Sequence, residues 1–80
     1  MDSGEVENIA TRMLTEMFGI PIEKIRPEAS FSDDFDLDSI DLVDWLGRIN
    51  DEVGSSLSPY DFQNCSVLQD FLSVLNDKLK

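Results

Sequence analysis

Val6, Ile9, Ala10, Met13, Leu14, Met17 and Phe18 recur at i, i+3, i+4 and i+7 without a break, with polar residues between them. That spacing predicts one apolar stripe on a helix over residues 4–18, capped by Asp2 or Ser3 and ended by Gly19 with Pro21. Met13 and Met17 on the stripe read as core filler. A second helix is predicted over residues 39–52, with Asp38 as its cap and Gly54 as its stop. At about 100° per residue, Leu42, Leu46, Ile49 and Val53 form its core stripe with Trp45 on the flank, while Ile40, Val43, Asp44, Gly47 and Asp51 lie on the opposite side. After Leu57, a further anchor, Ser58-Pro59 predicts a short helix that buries Tyr60 and Phe62. Ser66 with Gln69 predicts a capping box for a last helix, whose apolar face holds Val67, Leu68, Phe71, Leu72, Val74, Leu75 and Leu79. Lys78 and Lys80 fall in its final turn, where cations complement the helix dipole.

Residues 19–38 form a long connection, and connections beyond about 12–15 residues are uncommon unless functional or disordered. This one carries apolar anchors at Ile20, Ile22, Ile25, Phe31 and Phe35, stiffening prolines at 21 and 27, and a single helical turn over residues 22–26. It reads as an ordered crossover laid over the core, so the flanking helices are not a simple hairpin. With no strand candidate and no internal repeat, the expected fold is all-α. It is a small four-helix bundle of three main helices and one short helix, with a long loop between helices 1 and 2, in a single domain over residues 1–80.

Composition narrows the function. The chain is 41% hydrophobic, too apolar for a disordered acidic tail. It has 17 Asp+Glu against 6 Lys+Arg and no His, for a net charge of −11, which disfavours nucleic acid and anionic membrane and favours proteins with basic patches. The lone Cys65 permits no internal disulfide, fits a reducing compartment and reads as a small buried hydrophobe. No apolar run approaches the roughly 20 residues of a membrane span. The first residues lack the basic and apolar regions of a signal peptide. A monomeric, cytoplasmic protein is expected. Carboxylates crowded about the second helix repel one another, so added salt or millimolar Ca²⁺ or Mg²⁺ is expected to raise the melting temperature. A melt followed by circular dichroism that is indifferent to both would contradict this crowding.

The chemistry centres on Asp38-Ser39-Ile40-Asp41, which sets a hydroxyl at a helix N-terminus among carboxylates. A serine hydrolase needs a general base, and without His that role has no supporting motif. Asp34, Asp36 and Asp38 alternate as in the first half of an EF-hand loop. That loop requires glycine where Ser39 stands and a bidentate glutamate where Trp45 stands, so no metal site is assigned. The bland reading of Asp41, Asp44 and Asp51 is a solvated surface, with Asp44 and Asp51 pairing to Arg48. The functional reading is a docking strip, favoured by Ile40 and Val43 lying outside the core. Ser39 then reads as a residue that is acted upon.

The run Phe35-Asp36-Leu37-Asp38-Ser39-Ile40-Asp41-Leu42-Val43 resembles the attachment motif of acyl carrier proteins and related thiolation domains, in which an Asp-Ser pair opens the second of four helices. The resemblance extends over almost the whole chain. It implies that Ser39 carries 4′-phosphopantetheine through a phosphodiester, installed from coenzyme A by a Mg²⁺-dependent phosphopantetheinyl transferase, with Asp38 supporting the transferase and its metal. It implies a non-enzymatic carrier that holds acyl groups as thioesters and delivers them to acyl-loading, condensing and modifying enzymes of fatty acid, polyketide or related specialised biosynthesis. Asp41, Asp44 and Asp51 would meet basic docking patches on these partners, with Ile40 and Val43 as the apolar centre of each short-lived contact and Gly47 as a bare patch for close approach. The helix packing, rich in Met, Val and Leu, is expected to open enough to shelter a short acyl chain.

Two positions depart from the family pattern. Asp36 stands where many relatives have glycine, and Gly47 where relatives often expose a larger apolar side chain. Both leave the housekeeping carrier of fatty acid synthesis and a discrete carrier for a polyketide or other specialised acyl pathway open side by side. An aminoacyl or peptidyl carrier would commonly have Gly-Gly before the motif and a less acidic second helix, neither of which occurs here. From another class, an unmodified acidic adaptor would use the same helix only for docking.

Overall fold

The apolar stripes are satisfied by packing three helices on one another. The structure, a computed structural model, describes residues 3–79; Asp2, one of the two expected caps of the first helix, and Lys80 lie outside the described residues, as does the side chain of Ser3. Helices α1 (Ser3–Phe18), α2 (Ser39–Val53) and α3 (Leu68–Lys78) are joined by a loop containing a 3₁₀ turn at Ile22–Lys24 and by a second 3₁₀ turn at Pro59–Phe62. The expected short helix is this second 3₁₀ turn, with Pro59 in its first turn and the Ser58 hydroxyl accepting from the Tyr60 N–H at 3.2 Å. Val6, Ala10, Met13 and Leu14 of α1 bury against Trp45, Leu46 and Ile49 of α2 and Leu68, Phe71, Leu72 and Leu75 of α3. No polar or charged residue is buried among those described. Removing such apolar surface from water, at about 25 cal/mol per Å², is what holds the helices together.

The long connection is ordered, as its anchors suggest. Ile20, Phe31 and Phe35 are buried and Ile25 is half-buried, joined by Ala29 and Leu37, whose burial no periodicity signals. Its backbone also reaches α3. The Leu68 N–H donates to the Ala29 carbonyl at 2.9 Å, Gln69 N–H to Pro27 at 2.8 Å, and Phe31 N–H to Ser66 at 3.2 Å. The first two satisfy N–H groups that a helix start otherwise leaves without partners. They also correct the expected capping box. The helix begins at Leu68, and it is the Asp70 carboxylate that reaches back to the N–H groups of Ser66 and Val67, at 3.2 and 3.4 Å. Gln69 instead donates to the Ser73 hydroxyl.

Four other expectations change once the helices are packed. Ile22 is 75% exposed, because the 3₁₀ turn directs it away from the core, so it anchors nothing. Tyr60 is likewise exposed, and Phe62 alone fills the interior from that turn. Leu42 is half-buried, at the end of the α2 stripe where the bundle opens. Trp45 lies at the centre rather than the flank: it is fully buried, and its indole N–H donates to the Ala10 carbonyl of α1 at 3.0 Å. The side chain at residue 10 is small, which lets α2 approach closely enough for that bond.

Both helix stops behave as their glycines require. Gly19 and Gly54 take left-handed backbone (φ 68° and 72°), with N–H groups returned to the Thr15 and Asn50 carbonyls. Beyond Gly54, the Asn50 side chain accepts from the Leu57 N–H and the Ser55 hydroxyl and donates to the Leu57 carbonyl. Those three bonds turn the chain towards the second 3₁₀ turn. The Lys78 ammonium lies 3.6 Å from Asp61, tying the end of α3 to the same turn.

Candidate functional site

The approach to α2 is shaped by an alternation. Phe31, Phe35 and Leu37 are buried, while Asp34, Asp36 and Asp38 are exposed. The loop curls on itself to achieve this. The Ser30 carbonyl accepts from the Asp34 and Phe35 N–H groups, the Phe31 carbonyl accepts from Leu37 N–H at 2.9 Å, and the Asp34 carboxylate accepts from Ser30 N–H at 2.7 Å. Closing the curl puts Asp36 at φ 55°, the one non-glycine residue with positive φ among those described. Asp tolerates this region better than most residues. Asp36→Val is therefore expected to lower stability by about 1–2 kcal/mol, read as a fall in the urea midpoint, while Asp36→Gly keeps the turn.

The next residues form a reciprocal cap. The Asp38 carboxylate accepts from the Asp41 N–H at 3.0 Å, and the Asp41 carboxylate accepts from the Asp38 N–H at 3.1 Å. Ser39 is thereby fixed as the first residue of α2. It is exposed, and its hydroxyl has no hydrogen-bond partner among the described residues. Its oxygen is open to an incoming reagent, and the α2 dipole presents its positive end there.

Along the outer side of α2, Ile40 (70% exposed), Val43 (48%), Asp44, Gly47 and Asp51 are all in solvent. Asp41 is half-buried, with its carboxylate turned back into the cap. Arg48 forms no ion pair with Asp44 or Asp51; the pairs on this side of the molecule run from Arg12 to Glu16 and Glu52. Asp44 and Asp51 are therefore without a direct ion-pair partner among the described residues. A Cβ at Gly47 would meet nothing within 4 Å. Gly47→Ala is expected to raise stability by about 1 kcal/mol, visible as a higher melting temperature, and any loss of partner affinity in that variant would report close approach at this point.

Beside Ser39 a half-open cleft of about 270 Å³ enters the bundle, lined by Phe31, Ser39, Leu42, Val43, Leu46, Pro59, Phe62, Gln63, Cys65 and Phe71. Its walls come from α2, α3, the long loop and the second 3₁₀ turn, so sequence spacing did not bring them together. Cys65 is half-buried here rather than fully buried. Burial, and secondly the Asp70 carboxylate, push its thiol up from the ordinary range, away from a reactive thiolate. A larger hollow of about 540 Å³ lies between α1 and the first 3₁₀ turn, lined by residues including Thr11, Arg12 and Ile22, and does not include Ser39. The described residues hold no group of three or more His, Cys, Asp or Glu arranged to bind a metal ion, and no helix among them is long and apolar enough to cross a membrane.

A family model described as "Phosphopantetheine attachment site" matches residues 10–75. The chain is 31% identical over 75 residues to an acyl carrier protein of Buchnera aphidicola subsp. Schizaphis graminum, covering 94% of this chain and 95% of that protein. It is 29% identical over 73 residues to an acyl carrier protein of Nitratidesulfovibrio vulgaris, covering 91% and 96%. An acyl carrier protein of Saccharopolyspora erythraea is 41% identical over 54 residues, covering 68% of this chain and 57% of that protein.

Proposed function

The chain belongs to the acyl carrier protein family, built on the phosphopantetheine attachment site, and from that premise we propose that Ser39 is the residue esterified by the arm. The protein is a carrier and not a catalyst, its 4′-phosphopantetheine is covalently attached, and it works with a phosphopantetheinyl transferase and with biosynthetic enzymes. The arm supplies a terminal thiol that holds acyl groups as thioesters. Everything else falls to the chain's own residues.

The observation that carries the assignment is the exposed, unbonded hydroxyl of Ser39 at the first position of α2. A phosphate ester there gains about 0.3–1 kcal/mol from the helix dipole. Repulsion from the Asp38 and Asp41 carboxylates, about 1 kcal/mol per charge at 4 Å in water and so about 2 kcal/mol for the pair, is the larger effect. The site therefore accepts the phosphate at a small net cost without gripping it, and the arm is left free to swing. Asp38 orients the transferase and its metal. Asp41, Asp44 and Asp51 meet basic patches on successive partners, Ile40 and Val43 supply the apolar centre, and Gly47 permits close approach. Contacts of this kind form fast and weaken with salt. The carrier, acting in the cytoplasm as a monomer and a single domain, delivers acyl groups within fatty acid, polyketide or related specialised biosynthesis.

The test is intact mass after incubation with coenzyme A, Mg²⁺ and a promiscuous transferase, followed by peptide mapping. One phosphopantetheine on the peptide containing Ser39 is the expected result. An unchanged mass, as for an adaptor that only docks, or modification of a different serine would overturn the assignment.

A further inference from the structure

We infer that the outward side of α1, with the loop that follows it, is a docking surface separate from the α2 strip, and that it takes an acidic amphipathic helix from a partner protein. The inference is independent of the role of Ser39. Because Val6, Ala10, Met13 and Leu14 turn into the core, Asn8, Thr11 and Thr15 fall towards the outside of the helix. There they wall the open hollow of about 540 Å³, whose other side is Ile22 and Ile25. The Thr11 hydroxyl donates to the Glu7 carbonyl at 2.9 Å, and the Thr15 hydroxyl to the Ile20 carbonyl at 2.8 Å. With those protons used inside the chain, covering the wall strands neither hydroxyl donor. Ile22 stands at the edge, 75% exposed, a large aliphatic surface left in water. A second hollow of about 240 Å³ shares Asn8, Thr11 and Ile25 with the first and continues to Arg26 and Leu72. The two make a groove along α1, which suits a helix better than a single side chain.

Charge decides the occupant. Residues 8–27 carry Arg12, Lys24 and Arg26, half of the six cations of the chain, against Glu16 and Glu23. That stretch is net +1, while the remainder of the chain is net −12. Glu16, on the groove wall, is paired to Arg12 at 3.3 Å. Glu7, the other acid on the groove, accepts from the Asn76 amide at 3.5 Å. Lys24 is exposed in the same 3₁₀ turn as Ile22 and has no ion pair among the described residues. A basic patch on a partner is thus drawn to α2 and not to this face. Carboxylates flanking an aliphatic anchor instead meet Lys24 and Arg26 as the anchor settles on Ile22 and Ile25. The two faces select partners of opposite charge, so a protein held at the groove leaves the α2 strip free for the next enzyme.

The experiment titrates two helical peptides of about 18 residues into the isotope-labelled full chain, with and without the arm, and follows backbone amide resonances. Both peptides carry the same leucine stripe, flanked by glutamates in one and by lysines in the other. The glutamate peptide is expected to shift resonances of residues 8–27 and to leave those of α2 in place, whereas the lysine peptide shifts α2. Ile22→Asp, a change at an exposed position that keeps the fold, should weaken the glutamate peptide at least about tenfold, and Lys24→Glu about threefold. Neither variant should alter the gain of the arm at Ser39, which lies outside the groove. Four results would overturn the inference: no shift in residues 8–27, equal shifts there with the lysine peptide, unchanged affinity in folded Ile22→Asp, or the same shifts appearing on concentration of the protein alone, which would make a second copy the occupant.

Discussion

Ser39→Ala is expected to lose all capacity for phosphopantetheine while melting within about 0.5 kcal/mol of the parent protein. The separation is possible because the Ser39 hydroxyl supports nothing. It is exposed and unbonded, whereas the cap of α2 is made by Asp38 and Asp41 on either side of it. Alanine is also a good helix former at the position it would occupy. The measurement is paired: intact mass after transferase treatment, and thermal melting of the untreated protein. A variant that unfolds would mean the hydroxyl has a structural duty absent from the geometry. A variant that still gains the arm would place the attachment elsewhere.

Trp45→Ala should have the largest effect on stability. Removing a fully buried Trp costs about 3–5 kcal/mol, and a domain of this size typically has about 4–12 kcal/mol in total. A fall in melting temperature of at least about 12 °C is expected. Trp45→Phe keeps an aromatic ring against Phe71 but loses the bond to Ala10, and should cost about 1–2 kcal/mol. Urea melts of the two variants check the ordering. A Trp45→Ala protein within about 1 kcal/mol of the parent would show that the ring stack is not the centre of the core.

The helices and the exposed serine at the tip of α2 were legible because each rests on local physics. A 3.6-residue period needs only neighbours along one helix to be read, and it located the stripes of α1, α2 and α3. The cap at Asp38 and the stops at Gly19 and Gly54 were legible for the same reason, since backbone geometry at a helix end depends on a few adjacent residues. The start of the last helix was misplaced by one residue because it is decided elsewhere: carbonyls of Ala29 and Pro27, distant in sequence, take up its first N–H groups. Trp45 was set on a flank for a related reason. A wheel drawn for one helix shows its own stripe but not the direction from which α1 approaches.

By itself, the sequence determined an all-α fold with an acidic second helix and a serine at its tip, through periodicity, capping chemistry and charge, which are properties of short stretches; the carrier role was read only from the resemblance of the Asp38-Ser39 stretch to a family motif. Only the tertiary structure decided that Trp45 and Phe71 stack, that Ile22 and Tyr60 face water, and that Ser39 opens onto a cleft floored by Phe31, Phe62 and Phe71. Those side chains come from segments far apart in the chain. Their meeting depends on how three apolar stripes fit together in space, because close packing couples each helix's orientation to the volumes of residues on the others.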